Sequence, residues 1–401
     1  MARVSRRFLE DSSSGATTMA FAQLASEAKR KPVIDLTLGQ PDVTPPQTLV
    51  ELLATEARGV GASRYPPPQG LAEYREAVAS YMRDFYGVDA EPERVVALAG
   101  AKPGIAAAIY SVCDHGDAML VLTPHFYAYV NAARMLGVKP VMARLRWDGG
   151  RLFIDEDEVK KAFEEHKPCL VIVNTPHNPT GLHLDRETLK LIGDLASEHN
   201  TLVLSDEVYS WLVFRGEHVP LLRLLGEERV IHLESFSKTL AIPGWRVGFL
   251  YAPREVVKAT VFFNSNVYTG IPRFIQLAVA KYITAYREDM VEYVERVRKL
   301  YGRRARVFTE ALSQLEDLID VYEPAAGFFL FPRVERLIEK LGVGSAERLV
   351  ELMAREVGVL AVPGTVFGEE WRGYIRVSLT APESRLREAA ARIGELATRG
   401  A

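Results

Sequence analysis

The chain has 401 residues, 48% of them hydrophobic, and a formal net charge of -3. That length implies about two to three domains with a sizeable core, and the balanced charge, with no long basic run, excludes a nucleic-acid footprint. The two cysteines, Cys113 and Cys169, give neither a disulfide framework nor a zinc spacing, and the eight histidines form no ligand-like cluster, so no metal is expected.

No apolar run approaches the ~18–20 residues of a membrane span. Residues 1–18 read as a loose arm. Ser5-Arg6-Arg7-Phe8-Leu9 faintly resembles an export signal, but Glu10, Asp11 and a Ser/Gly/Thr stretch follow it instead of an apolar segment, so the expected compartment is the cytoplasm. Residues 19–30 read as a short amphipathic helix. Val33–Leu38 reads as a strand closed by the turn Gly39-Gln40-Pro41-Asp42. Proline and glycine punctuate Tyr65–Gly70, and a helix follows.

From Arg94 to Tyr251, short apolar runs alternate with helical stretches. Strands are expected at Arg94–Ala99, Ala118–Leu122, Lys139–Ala143, Leu170–Asn174, Thr201–Ser205, Val230–Leu233 and Arg246–Tyr251. The runs 170–174 and 201–205 are almost continuously apolar, the pattern of parallel strands covered on both faces. Residues 275–315 read as one long helix. Residues 320–401 segregate into Gly327–Phe331, Ser345–Glu356, Leu360–Val362, Tyr374–Ser378 and Glu383–Ala397, which suggests a second, α+β lobe.

The chemistry concentrates at strand ends. The stretch from Glu234-Ser235-Phe236-Ser237-Lys238 to Arg246-Val247-Gly248 sets one lysine among hydroxyls, with an arginine eight residues on. In an α/β core this is where ligands sit. Hydroxyls and a guanidinium suit a phosphate, and a lysine there can form a Schiff base with an aldehyde cofactor. Taken alone, the stretch reads equally well as a surface loop. Two neighbouring strand ends argue otherwise. One leads into Asp206-Glu207-Val208-Tyr209, an acid for a pyridine nitrogen and a phenol for a ring oxygen. The other leads into Asn174-Thr175-Pro176-His177-Asn178-Pro179-Thr180-Gly181, which displays an amide.

Gly100-Ala101-Lys102-Pro103-Gly104 stands between a strand and a helix, so backbone N–H groups there can cradle an anion. It matches neither GxxxxGK[ST] nor GxGxxG. Lys102 either helps with phosphate or faces solvent. Among Phe126, Tyr127 and Tyr129, one ring can stack on a flat cofactor or all can be core. Arg376, in Tyr374-Ile375-Arg376-Val377-Ser378, alternates away from Ile375 and Val377 and suits a bidentate carboxylate clamp, or a surface ion pair.

With these motifs together, the chain resembles the class I/II aminotransferases of fold type I, which use pyridoxal 5'-phosphate. The resemblance runs from about residue 33 to 395. It implies an α/β fold: a large domain over 46–290 with a mostly parallel central sheet flanked by helices, and a smaller α+β domain over 291–401. Residues 19–45 are expected to pack with the small domain. It implies Lys238 as the Schiff-base lysine and proton carrier, Asp206 as partner of the pyridinium nitrogen, and Asn178 and Tyr209 as ligands of the 3' oxygen. Ser235, Ser237 and Arg246 resemble phosphate ligands, with Ala101 and Lys102 adding contacts. Phe126 takes the ring-stacking position. Tyr65 resembles the tyrosine that reaches the neighbouring subunit's phosphate, which implies a homodimer with shared sites. Arg376 takes the substrate α-carboxylate, beside Gly39 and Asn178. No second arginine for a distal carboxylate stands out, and Arg273 has no clear role.

The implied activity is transfer of an amino group from an L-amino acid, aspartate favoured, to a 2-oxoacid such as 2-oxoglutarate. Alternatives are aromatic or alanine donors, a C–S β-lyase, or a cyclopropane-carboxylate-type synthase on the same apparatus. A cofactor-sensing regulator is disfavoured because 32 residues before the first core strand are too few for a DNA-binding domain.

Overall fold

Apolar runs bounded by turns become the strands of a large central sheet. The computed structural model describes residues 32–148 and 151–399, so the arm over 1–18 and the helix expected over 19–30 lie outside the described residues. In chain order the strands are β1 (Ile34–Asp35), β2 (Val95–Leu98), β3 (Ala118–Thr123), β4 (Lys139–Asp148), β5 (Arg151–Ile154), β6 (Leu170–Asn174) and β7 (Leu202–Asp206). They continue with β8 (Val230–Ser235), β9 (Gly248–Tyr251), β10 (Phe329–Leu330), β11 (Val359–Leu360), β12 (Val362–Pro363) and β13 (Ile375–Ser378).

The large sheet has the order β2-β9-β8-β7-β6-β3-β4-β5. Strands β8, β7, β6, β3 and β4 run parallel, while β9 and β5 are antiparallel to their neighbours. From β3 the chain steps to one side into β4 and later returns to the other side as β6. That reversal opens a crevice at the C-terminal ends of β3 and β6. Successive residues of β6 and β7 enter opposite cores: Val171, Val173 and Val203 face one, and Leu170, Ile172 and Leu204 the other. Both faces are therefore covered, as the continuous apolar runs require. The flanking helices start on sequence signals. Asp155 and Asp185 accept from the backbone N–H of Glu158 and Thr188, each cap worth about 1 kcal/mol.

The second lobe holds an antiparallel sheet β10-β13-β12, and β1 pairs in parallel with β11. Asp42, in the turn after β1, takes both terminal nitrogens of Arg304 at 2.7 and 2.9 Å. This fixes the loop that carries Gly39 onto the helix Arg287–Ser313.

Three expectations need correction. First, Cys113 and Cys169 form a disulfide, with Cα atoms 5.7 Å apart. Their spacing along the chain gave no hint of it. The fold brings the C-terminal end of the helix Ala101–Val112 beside the start of β6. Second, the helix read over 275–315 is two helices, Arg273–Ala285 and Arg287–Ser313, broken at Tyr286 (φ -118°, ψ 35°). No glycine or proline marks the break. Tertiary contacts hold the next residue: Arg287 pairs with Asp84 at 2.8 Å and lies over the Phe85 ring. Third, β4 continues to Asp148 and pairs with β5. Arg144, Arg146 and Asp148 are exposed there, and this polar alternation hid the extra strand length.

Candidate active site

Five strand ends deliver the side chains. Strand β2 ends at the helix Ala101–Val112, β3 at Phe126, β6 at Asn178, β7 at Asp206 and Tyr209, and β8 at Ser235 and Lys238. Strand alternation and the turns at these ends aim the groups into one crevice.

At the far end of the crevice sits Asp206. Its carboxylate is buried and accepts from the Tyr129 hydroxyl at 2.7 Å and, weakly, from the Val208 N–H at 3.4 Å. No cationic side chain bonds it among the described residues. Burial is the main reason its carboxyl is raised to about 6, against the two hydrogen bonds that oppose the shift. Next to it, the Asn178 side chain lies near the Tyr209 phenol and accepts from Arg376 Nη1 at 3.2 Å. Phe328 and Phe329 stand edge-on to the Tyr209 ring at 5.5 and 5.9 Å.

Lys238 is half-buried on the short helical turn Phe236–Thr239, and its Nζ donates to the Gly39 carbonyl of the other lobe. Burial, then the charges of Arg376 and Arg246, pull its ammonium down to about 8. A neutral amine is therefore accessible near physiological pH.

Hydroxyls and backbone donors gather at the opposite end. Ser235 Oγ caps the Phe236–Thr239 turn, lies 2.8 Å from Ser237 Oγ, and accepts from the Ser237 N–H at 3.2 Å. Arg246 holds a left-handed backbone (φ 56°), and its Nη2 donates to the Ala99 carbonyl at 3.0 Å. A Cβ on Gly100 would fall 2.7 Å from that same nitrogen, so only glycine lets the guanidinium lie against the start of the Ala101–Val112 helix.

Arg376 closes the crevice from the second lobe. Its guanidinium is buried over the Phe329 ring at 4.3 Å, with Nη2 on the Thr37 carbonyl at 2.8 Å. Its Nε has no hydrogen-bond partner, and no described acidic side chain pairs with it. Burial lowers it to about 10, which leaves it charged at neutral pH.

The structure thus brings together Gly39, Ala101, Asn178, Asp206, Tyr209, Ser235, Ser237, Lys238, Arg246 and Arg376. Phe126 lines the same crevice, packed on Tyr127 and Tyr129 at 4.7 and 5.7 Å. Lys102 is exposed, and its Nζ donates to the Tyr127 hydroxyl at 2.9 Å and lies 4.7 Å from that ring. Tyr65 stands apart, 87% exposed. Sequence reasoning missed Tyr129 as the partner of Asp206, because its position offers only a stacking ring or a core ring. It also missed the wall of Phe328 and Phe329, whose signal was an apolar pair entering β10.

The family model for aminotransferase class I and II matches residues 31–393. The chain belongs to the class I and II aminotransferases. It is 33% identical over 368 residues to an aspartate aminotransferase of Pyrococcus horikoshii, covering 91% of each chain. It is 35% identical over 361 residues to aromatic-amino-acid aminotransferase 2 of Thermococcus litoralis, covering 89% of this chain and 90% of that one. A solved double mutant of Thermus thermophilus aspartate aminotransferase superposes with a TM-score of 0.90 at 29% identity, over 99% of this chain and 100% of that one.

Aminotransferases of this class depend on pyridoxal phosphate, and the crevice fits it. A buried carboxylate without a cation suits a pyridinium, and the serine, arginine and helix-start cluster at the other end suits a phosphate. A lysine amine lies between the two ends.

Proposed function

We propose that this aminotransferase moves the amino group of an L-amino acid, with aspartate favoured, onto a 2-oxoacid such as 2-oxoglutarate in two half-reactions. The observation that carries the substrate class is Arg376: a buried, charged guanidinium with an unpartnered nitrogen and no acidic neighbour. Leaving such a charge unpaired is costly, and an α-carboxylate answers it bidentately. The preference for aspartate is supported by the Pyrococcus and Thermus relatives, and the Thermococcus relative keeps aromatic donors in view.

When bound, pyridoxal phosphate supplies the electron sink for a carbanion at the substrate Cα. In this reading Asp206 holds the proton on the ring nitrogen, while Asn178 and Tyr209 bond the 3' oxygen. Ser235, Ser237, Arg246, Ala101 and Lys102 hold the phosphate, and Phe126 covers the ring face. Lys238 would anchor the cofactor, and its neutral amine would carry the proton taken from the substrate Cα. The Gly39 carbonyl and Asn178 border the substrate beside Arg376.

We also propose a homodimer in which Tyr65 completes the phosphate site of the neighbouring chain; its exposure supports this. Residues 46–290 act as the cofactor-holding domain, and the described residues of 19–45 and 291–401 as the lobe over the substrate. The Asp42–Arg304 pair supports joining those two segments. The test is a panel of amino donors against 2-oxoglutarate, with kcat/KM for each. Aspartate is expected to lead. Aspartate ranking well below aromatic or branched donors would defeat the preference, and release of free ammonia and pyruvate without amination of 2-oxoglutarate would defeat transamination.

A further inference from the structure

Behind the crevice lies a second buried polar cluster that the proposed chemistry does not use. Glu207 and Glu234 are both fully buried. Glu207 Oε1 accepts from Ser205 Oγ at 2.6 Å and from the Leu221 N–H at 3.2 Å, and its Oε2 lies 2.6 Å from His218 Nε2. Glu234 accepts from the hydroxyls of Tyr81 and Tyr86 at 2.7 and 2.8 Å, and Tyr86 in turn bonds Ser210 at 2.7 Å.

Between the two carboxylates stands His232, itself buried. Its Nδ1 is 3.4 Å from Glu207 and its Nε2 is 3.6 Å from Glu234. Neither contact has hydrogen-bond geometry, so the link is electrostatic. The other faces of the ring meet Tyr86 edge-on at 5.2 Å and Phe249 at 5.8 Å, and Tyr251 is its register partner on β9. No Lys or Arg enters the cluster among these contacts, so only imidazoles face the two carboxylates there. Burial works against charge on His232, but Glu207 and Glu234 outweigh it and raise the ring to about 9. Glu207 is correspondingly held well below the usual carboxylate range by His232 and His218, against burial.

The placement follows from alternation at the ends of β7 and β8, where Asp206 and Ser235 point into the crevice and their neighbours Glu207 and Glu234 point into the cluster behind it. In the 3-10 turn Ser210–Leu212 after β7, Ser210 joins the cluster through Tyr86 while Tyr209 borders the crevice. Three cofactor-facing residues thus have their backbones held from the rear by one charged assembly. Such an assembly is seldom the cheapest way to fill a core, because desolvation takes back much of the Coulomb attraction. What it supplies is fixed geometry.

We propose that His232, cationic between Glu207 and Glu234, is a positioning residue that locks the ends of β7 and β8 so that Asp206, Tyr209 and Ser235 keep their aim at the cofactor. This rests on the site reading given above. It acts through the backbone and touches neither cofactor nor substrate.

The first measurement needs no variant of the working protein. In holoenzyme labelled with 15N-histidine, both ring nitrogens of His232 are expected to be protonated at neutral pH; a neutral ring overturns the proposal. The second uses Glu207→Gln/His232→Gln, which removes one carboxylate and the imidazole together and leaves Glu234 with its Tyr81 and Tyr86 hydroxyl donors. That variant is expected to keep the parent's far-UV circular dichroism, yet to bind pyridoxal phosphate about tenfold more weakly when titrated into stripped protein, the size of effect that outer-shell partners have elsewhere. The pH midpoint of the bound cofactor's visible band is expected to move as well. A folded double variant with unchanged affinity and midpoint overturns the proposal. Lys238→Ala separates the two levels: if it retains the covalently bound cofactor's band, the site reading fails, whatever His232 does.

Discussion

Removing the disulfide tests the energetics of the large domain without touching its chemistry. The bridge closes a loop across a sequence separation of 56. For a loop of that size, the entropy withheld from the unfolded chain corresponds to about 4 kcal/mol at 25 °C. Cys113→Ala/Cys169→Ala is therefore expected to lower the unfolding free energy by about 2–4 kcal/mol, the lower end allowing for residual structure in the unfolded chain. The assay is a urea titration of parent and variant, each with and without reductant. The parent's midpoint should fall on reduction and the variant's should not. Activity at 25 °C should be unchanged, because the bridge sits at the end of the Ala101–Val112 helix away from the crevice, about 18 Å along its axis. A parent midpoint indifferent to reductant, or a variant that loses kcat in proportion to stability, would refute this reasoning.

Three further outcomes follow from the crevice. Arg376→Lys keeps the charge but loses the planar fork, and is expected to cut kcat/KM for every amino donor by about 100-fold, or ~3 kcal/mol; a loss confined to one donor would reassign the residue to side-chain recognition. Asp206 has its carboxyl raised from 3.8 to about 6, so the folded chain holds that proton more tightly than the unfolded one. Its contribution is favourable below about pH 4 and is lost as pH rises through about 6, leaving a cost on the order of 3 kcal/mol at neutral pH. Asp206→Asn should therefore stabilise protein stripped of cofactor at neutral pH, lose that advantage in acid, and bind cofactor more weakly; lower stability at neutral pH would contradict the sign. Capture of pyridoxal phosphate by stripped protein should quicken with pH and level off above about 8, following the neutral Lys238 amine. A midpoint near 10.5, the ordinary lysine value, would show that the lysine is not shielded.

The parts of this molecule that local chemistry determines were readable in advance. Leu170–Asn174 is a strand because an uninterrupted apolar run can be buried on both faces, and its C-terminal end had to open where the chain reverses across the sheet. Arg376 stood out because one arginine between Ile375 and Val377 must face the other way. What depends on long-range approach was not readable. Cys113 and Cys169 meet only because a helix end and a strand start become neighbours in space. Tyr129 finds Asp206 across a sequence distance of 77, and nothing in its own surroundings distinguishes it from a core ring. His232 lies inside a strand, where alternation sets Glu234 on its face, but nothing local announces Glu207, which arrives from the neighbouring strand end. The break at Tyr286 has no residue of its own to announce it.

Tyr65 carries a consequence for how activity is counted. If its ring serves the adjoining chain, each working site draws Lys238 from one polypeptide and Tyr65 from another. A preparation of Lys238→Ala and one of Tyr65→Ala would each be impaired alone, the second less severely. Unfolded together and reassembled at random, half the pairs would be mixed, and each mixed pair would hold one intact site. About a quarter of all sites would then recover. Two defective chains would make one competent enzyme, and dilution below the pairing constant would take it away again.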